Sequence, residues 1–198
     1  MKLSRSFYER PNVVELAKDI LGKQLHTQIN GKHTFGLITE VEAYAGQNDK
    51  ACHANGGLRS KRTEVMYGRG GYSYVYLCYG IHNLFNIVTN KENHADAVLI
   101  RGIEPLSGEK EMLKRRNMDK MHKRLSAGPG TLTQALAINT KDHYGIDLLG
   151  DTIWLAHGKS LSEDDIVSST RIGVDYAEED ALKPWRFYIK GSRFISKP

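Results

Sequence analysis

Asn30-Gly31 stands between two runs of alternating character, residues 23–29 and residues 34–44. Alternation at period two is the mark of a strand with one face on a core. Asn-Gly is the pair best suited to the tight turn of a hairpin. An antiparallel pairing early in the chain is therefore the first constraint on the fold. It recurs in GYSYVYLCYGIHNLFNIVTN, residues 71–90, the most strand-like stretch, which should turn at Tyr79-Gly80 before a return strand over residues 83–89. Further strands are expected at residues 97–103, 152–156, 171–174 and 186–189. A first helix is expected over PNVVELAKDILG, with Pro11 in its first turn, Val13, Leu16, Ala17 and Ile20 as its apolar stripe and Gly22 at its end. Residues 106–125 and 131–138 also read as helical, with GPG (128–130) as the break, and residues 46–62 as a loop. Strand–helix–strand alternation is absent, so the pattern predicts a β-rich α+β domain on an antiparallel sheet.

With 198 residues and no Pro/Gly/Ser-rich linker or repeat, the chain reads as one domain. No apolar run approaches the ~18 residues of a membrane helix, and MKLSRSFYERP lacks the apolar core of an export signal. Cys52 and Cys78 are too few for a disulfide framework or a four-ligand zinc site, which favours a reducing, intracellular setting. A net charge of +5 and a pI near 9.1 permit a polyanionic partner. Residues 109–124 hold seven basic residues against three acidic ones, and Arg59, Lys61 and Arg62 form a second cluster. Either group could equally be a solvated face.

ITEVEAYAG, residues 38–46, carries two carboxylates within a strand pattern. Glutamate is depleted in strands. Alternation places Ile38, Glu40, Glu42 and Tyr44 on one side and Thr39, Val41 and Ala43 on the other. In the tyrosine-rich hairpin, Tyr72, Tyr74 and Tyr76 share one face, and Tyr79 falls at the tip, where an aromatic either packs on a neighbouring loop or inserts into something else. Asn86 interrupts LFNIV and needs partners for its amide, from a loop backbone or from a ligand edge. Arg101 ends the apolar run DAVLIR, where Glu42 or Glu40 would offset its burial, unless it points to solvent. His53 sits in a Gly/Asn-rich loop. Metal-binding spacings, dinucleotide fingerprints, phosphate loops and nucleophile elbows are not found in the sequence. A carboxylate can act as general base toward water, an arginine can hold it ionised, aromatics can sandwich a planar ring, and a basic surface can hold phosphates. Together these describe an enzyme that extrudes a base from DNA and hydrolyses its bond to the sugar.

Five blocks occur in order: ITEVEAYAGQNDKACHANGG, YVYLCYGIHNLFNIV, AVLIRGIEPL, AGPGTLTQALAI and KPWRFYIKGS. With them the chain resembles the 3-methyladenine DNA glycosylases of the alkyladenine (methylpurine) type, from about Leu21 to Ser192. The resemblance implies an α+β fold in a single DNA glycosylase domain over residues 1–198, built on a curved antiparallel β-sheet with flanking helices and a protruding β-hairpin. It implies Glu42 as the base that activates water, with Arg101 helping to hold that water. It implies a base pocket in which Tyr44 stacks on one face of the flipped base and His53 and Tyr76 on the other. Asn86 would exclude guanine by a clash with its 2-amino group, and Tyr79 would wedge into the duplex. No metal or other cofactor is implied.

The implied substrates are 3-methyladenine, 7-methylguanine, hypoxanthine and ethenoadenine in damaged double-stranded DNA, excised by a monomer without a lyase step, since no lysine matches a Schiff-base nucleophile. Two departures stand out. Ile81-His82-Asn83 replace bulkier apolar and aromatic residues of mammalian members, and the chain starts almost at the catalytic domain, as a bacterial member would. The expected location is the bacterial cytoplasm, at the nucleoid, or the nucleus if the source is a eukaryote; no membrane contact is expected. The competing reading is a non-catalytic nucleic-acid-binding module. A carboxylate inside an aromatic pocket that faces a polyanion separates the two. Glu40 has no expected role beyond a structural ion pair.

Overall fold

Asn30 and Gly31 both take positive φ, +52° and +69°. This left-handed pair twists in the same sense as the strands it joins. It closes a hairpin between β1 (Gln24–Ile29) and β2 (Lys32–Tyr44), with Ile29 opposite Lys32. The computed structural model describes residues 1–197. Before the hairpin come α1 (Arg5–Tyr8) and α2 (Val13–Ile20). After it come β3 (Ser73–Cys78), β4 (His82–Thr89), β5 (Asp96–Ser107), α3 (Glu109–Arg115), α4 (Pro129–Ala135), α5 (Thr140–His143), β6 (Ile153–Ala156), β7 (Ile166–Ser169) and β8 (Arg186–Ile189). Among the described residues no helix is long and apolar enough to cross a membrane.

The strands form one antiparallel sheet in the order β3-β4-β5-β2-β1-β6, with β8 on β2 and β7 on β8. The sheet forks at β2. Its first half pairs with β1, and beyond a kink residues 40–42 pair with β8 instead. The result is the curled antiparallel sheet of an α+β domain. On one face lies the main core. Val75, Phe85, Ile87, Val98, Ile100, Val41 and Ala43 meet the apolar stripe of α2 and residues of α3 and α4. On the other face Tyr74, Val88 and Ala97 are covered by Cys52, Ala54, Met66 and Tyr67 from the loops. Period-two alternation in β3, β4 and β5 thus divides an oily face from a face with aromatic and polar groups.

Several expectations are corrected. Asn12, not Pro11, starts α2: its side chain accepts from the amides of Val14 and Glu15 at 3.1 and 3.2 Å, and Pro11 precedes that cap. α1 was not foreseen. The helix expected over residues 106–125 is only seven residues long. Residues 106 and 107 belong to β5, and Asn117 at φ +50° stops α3. The amides of Asn117 and Met118 bond back to the carbonyls of Lys114 and Leu113, which is a Schellman ending. GPG starts α4, with Pro129 in its first turn, rather than only ending what precedes it. Residues 171–174 are not a strand. The strand there is β7, five residues earlier, and residues 171–174 leave the sheet for the site.

Candidate active site

Two irregularities in the β2–β5 pairing aim the site. Ile38 faces Ile103 and Glu40 faces Gly102, so Thr39 is an extra residue on β2. Val41 then faces Ile100, so Arg101 is an extra residue on β5. Bulges bend a strand and re-aim side chains. Here Thr39 changes the alternation that the sequence suggested. Ile38 joins Val41 and Ala43 in the core, while Glu40, Glu42 and Tyr44 take the opposite face. The register then lines up Tyr74, Asn86, Leu99, Glu42 and Arg186 across five adjacent strands. At Gly102 a Cβ would sit 2.5 Å from the carbonyl oxygen of Phe194, so only glycine fits where the segment after β8 crosses the bulge.

Glu40 and Glu42 have no exposed surface, which requires partners for both charges. Glu42 Oε2 accepts from the Tyr44 hydroxyl at 2.7 Å and from Arg101 Nη1 at 3.2 Å; Oε1 accepts from the amide of Ile172 at 2.7 Å. Glu40 Oε1 accepts from Arg101 Nε (3.1 Å), Arg186 Nη1 (3.0 Å) and the Ser196 hydroxyl (2.7 Å), and Oε2 from the Ser196 amide (2.6 Å). Two carboxylates and two guanidiniums therefore balance in charge. Burial pulls the Arg101 pKa down, but the charges of Glu42 and Glu40 outweigh it and the net shift is upward. Burial, followed by the Glu42 charge, raises the Tyr44 phenol well above its usual value, so it stays a donor. A carboxylate offers about four acceptor positions, and Glu42 uses three.

Above this cluster lies a cavity of about 290 Å³. Tyr44, His53, Tyr76, Asn86 and Arg101 all line it, with Tyr79 at its mouth. Glu42 lies behind Tyr44, Arg101 and Ile172, which face the cavity. The rings of His53 and Tyr76 are 4.7 Å apart and nearly perpendicular. Arg62 Nη2 lies 2.6 Å from His53 Nε2 and 2.9 Å from Nδ1, so it meets the ring along the edge that carries both nitrogens. Nδ1 also faces the Tyr74 hydroxyl at 2.8 Å, which helps to fix the ring. Burial, with the Arg62 charge second, pushes the His53 pKa down to about 4, so the ring is neutral at pH 7. Asn86 is 4% exposed, and its amide nitrogen donates to the Tyr74 carbonyl at 3.1 Å. That bond directs one end of the amide into the sheet.

Tyr79 is 89% exposed and held at φ +50°, with Ile81 beside it at 72%. A bulky residue in the left-handed region costs on the order of 1–3 kcal/mol, and such strain gathers at functional sites.

Every candidate from the sequence thus sits in or against one cavity, and Glu40 makes the expected ion pair. Four groups were missed. Tyr74 shares the tyrosine face and orients His53, so period two alone could have found it. Ile172 contributes a backbone amide, which no side-chain pattern reveals. Arg171 reaches a fully buried Asp49, bidentate at 2.5 and 2.8 Å, and its guanidinium covers the Tyr44 ring at 4.9 Å. Ser196 touches Glu40 and Arg101 from far along the chain.

A family model for methylpurine-DNA glycosylase matches residues 6–193. Among curated proteins, one from Natranaerobius thermophilus named "Putative 3-methyladenine DNA glycosylase" is 45% identical over 99% of this chain and 99% of its own length. Proteins of the same name from Methanocella arvoryzae (45% identical, 98% of this chain and 96% of its own) and Bacillus cereus (43%, all of both) are similar. With nearly the whole chain matched, this protein belongs to the methylpurine-DNA glycosylase family.

Proposed function

We propose that this protein is a monofunctional 3-methyladenine DNA glycosylase, working as a monomer on damaged duplex DNA. It flips an alkylated or deaminated purine into the aromatic cavity, hydrolyses the N-glycosidic bond and leaves an abasic site. The observation that carries this reading is Glu42, a fully buried carboxylate with three donors and one acceptor position left, directly behind an aromatic pocket. A binding module has no use for such a group, which is costly to bury.

Each residue then has a task. Tyr79 enters the duplex at the strained hairpin tip and fills the space left by the extruded nucleotide. Tyr44 stacks on one side of the flipped purine, and His53 and Tyr76 on the other. A cationic alkylated ring gains cation–π attraction of roughly 0.5–2 kcal/mol from these faces. The neutral His53 adds no repelling charge of its own. Asn86 meets the edge of the base and disfavours a 2-amino group, which excludes normal guanine. In 7-methylguanine the cationic ring offsets the same clash by its attraction to the aromatic faces. Glu42 takes a proton from the water that attacks C1′, and Arg101 holds the carboxylate and the water in line. A cationic base leaves readily. Neutral lesions such as hypoxanthine and ethenoadenine need a proton on the departing ring.

The test is excision of 3-methyladenine, 7-methylguanine, hypoxanthine and ethenoadenine from duplex DNA, read after alkali. Wild-type protein should give strand breaks that need alkali, and Glu42→Gln should abolish them while still binding lesion DNA. Near-wild-type excision by Glu42→Gln would sink the assigned role. Borohydride should trap no DNA adduct; a covalent product would contradict the absence of a lyase step. Binding should weaken as salt rises, with a log–log slope of roughly −0.9 per phosphate contacted by the basic segment at residues 109–124.

A further inference from the structure

We propose that Ser196 is a positioning residue which, together with Glu40, aims the Arg101 guanidinium at Glu42. The inference rests on Glu42 as the base in the reading above.

Arg101 spends its three nitrogens on three partners: Nε on Glu40, Nη1 on Glu42 and Nη2 on the Ser196 hydroxyl at 3.2 Å. Two of these partners are not the proposed base. They fix the plane of the guanidinium, and the contact with Glu42 follows from that plane. Glu40 alone is a poor anchor, because its Oε1 is shared with Arg186 at 3.0 Å and could turn toward it. Ser196 removes that freedom. Its hydroxyl accepts from Arg101 and donates to Glu40 Oε1 at 2.7 Å, and its amide donates to Oε2 at 2.6 Å. One residue thus ties both carboxylate oxygens and one guanidinium nitrogen.

The segment that brings Ser196 here is itself anchored on both sides. The Thr39 hydroxyl, from the extra residue of β2, donates to the Phe194 carbonyl at 2.6 Å. Gly102 lets that carbonyl approach. On the other side the Lys197 carbonyl accepts from Arg186 Nη1 at 2.9 Å. The bulges that aim Glu42 and Arg101 therefore also dock the segment that holds Arg101.

The experiment compares wild type, Ser196→Ala, Ser196→Thr and Thr39→Val in the full chain. Single-turnover excision by Ser196→Ala should slow between roughly 10-fold and 100-fold, the scale of a small misplacement at a reacting centre. Lesion-DNA binding should stay at the wild-type value, and the melting temperature should fall only by the few degrees that one lost hydrogen bond to a charged group costs. Ser196→Thr keeps a hydroxyl and should restore the rate. Thr39→Val, which loosens the strap without touching the cluster, should give a smaller loss in the same direction. A second readout needs no substrate. The Arg101 Nε–H signal in 15N NMR should be protected from exchange in wild type and Ser196→Thr, and lose protection in Ser196→Ala. Unchanged excision by Ser196→Ala overturns the proposal, as does slowed excision with the Arg101 signal unchanged. If wild type excises nothing, the glycosylase reading fails, while the NMR comparison still decides whether Ser196 holds Arg101.

Discussion

Asp49→Asn preserves shape and removes one charge from a fully buried ion pair. Both side chains of the Asp49–Arg171 pair are fully buried. Asp49 also accepts from the amides of Ala45 and Ala51 at 3.1 Å each. Arg171 donates to the carbonyls of Ala43 and Asp180 at 2.9 Å each, lies against the rings of Tyr44 and Trp185, and has no partner for Nε among the described residues. Burial pulls the Arg171 pKa down, but the hydrogen bonds and charge of Asp49 outweigh it, and the net shift is upward. Even without that support a guanidinium stays protonated near neutral pH, so the Arg171 charge persists when Asp49 is neutralised. Breaking a buried pair in this way costs about 3–5 kcal/mol. For a chain of this size each kcal/mol lowers the melting temperature by about 2–4 °C, so the expected drop is roughly 6–20 °C. Circular dichroism melts and urea titrations measure it. The double variant Asp49→Asn/Arg171→Gln removes both charges, keeps amide acceptors and donors for the neighbouring backbone groups, and should recover part of the loss. A melt for Asp49→Asn within about 2 °C of wild type, or a double variant worse than the single, would refute the reasoning. At temperatures where Asp49→Asn is folded, its excision should also be slower, since Arg171 is next to the Ile172 amide that holds Glu42.

Other outcomes follow from the same structure. Burial pushes the Asp96 pKa up to about 6, against 3.8 ordinarily, so the folded state favours its protonated form. Its contribution is full below pH 4 and is lost as pH rises toward 6, and the two-unit gap is worth about 3 kcal/mol; Asp96→Asn should remove that slope from urea titrations across this window. His26 and His53 are both pushed down to about 4, chiefly by burial, so their contribution is full above pH 6.5 and fades as pH falls toward 4. His53→Gln should flatten part of that acid loss, and an unchanged pH–stability curve would contradict the burial of a neutral ring. Tyr79→Gly should release strain and leave melting unchanged or raised by up to about 1 kcal/mol of stability, while lesion binding weakens; binding equal to wild type would rule out the wedge.

What was legible in the sequence was whatever depends on neighbours along one strand. The pleat alone places Glu42 beside Tyr44, and Tyr74 beside Tyr76. A hairpin loop with Gly80 is enough to expose Tyr79. The rest depends on contacts that form only after the sheet closes. Thr39 and Arg101 look like ordinary strand residues, and only the pairing of β2 with β5 makes each of them extra. Asp49 and Arg171 are 122 residues apart, and Glu40 and Ser196 are 156 apart. Their single-residue contexts, a polar loop and a chain segment after the last strand, carry no sign of a partner. The helix expected over residues 106–125 fails for a local reason: Asn117 takes positive φ and closes α3.

Thr39 has a consequence for folding itself. β2 is written in two phases, one serving the core up to Ile38 and another serving the pocket from Glu40 onward, and a single residue separates them. A chain that paired β2 and β5 without the slip at Thr39 would send Glu40 and Glu42 into the oil beneath α2 and lift Val41 and Ala43 into the cavity. Burying two unpartnered carboxylates costs several kcal/mol each, so that misfold is strongly disfavoured. The acids of the site therefore proofread the sheet: the register in which the strands settle is the one in which both carboxylates meet their arginines.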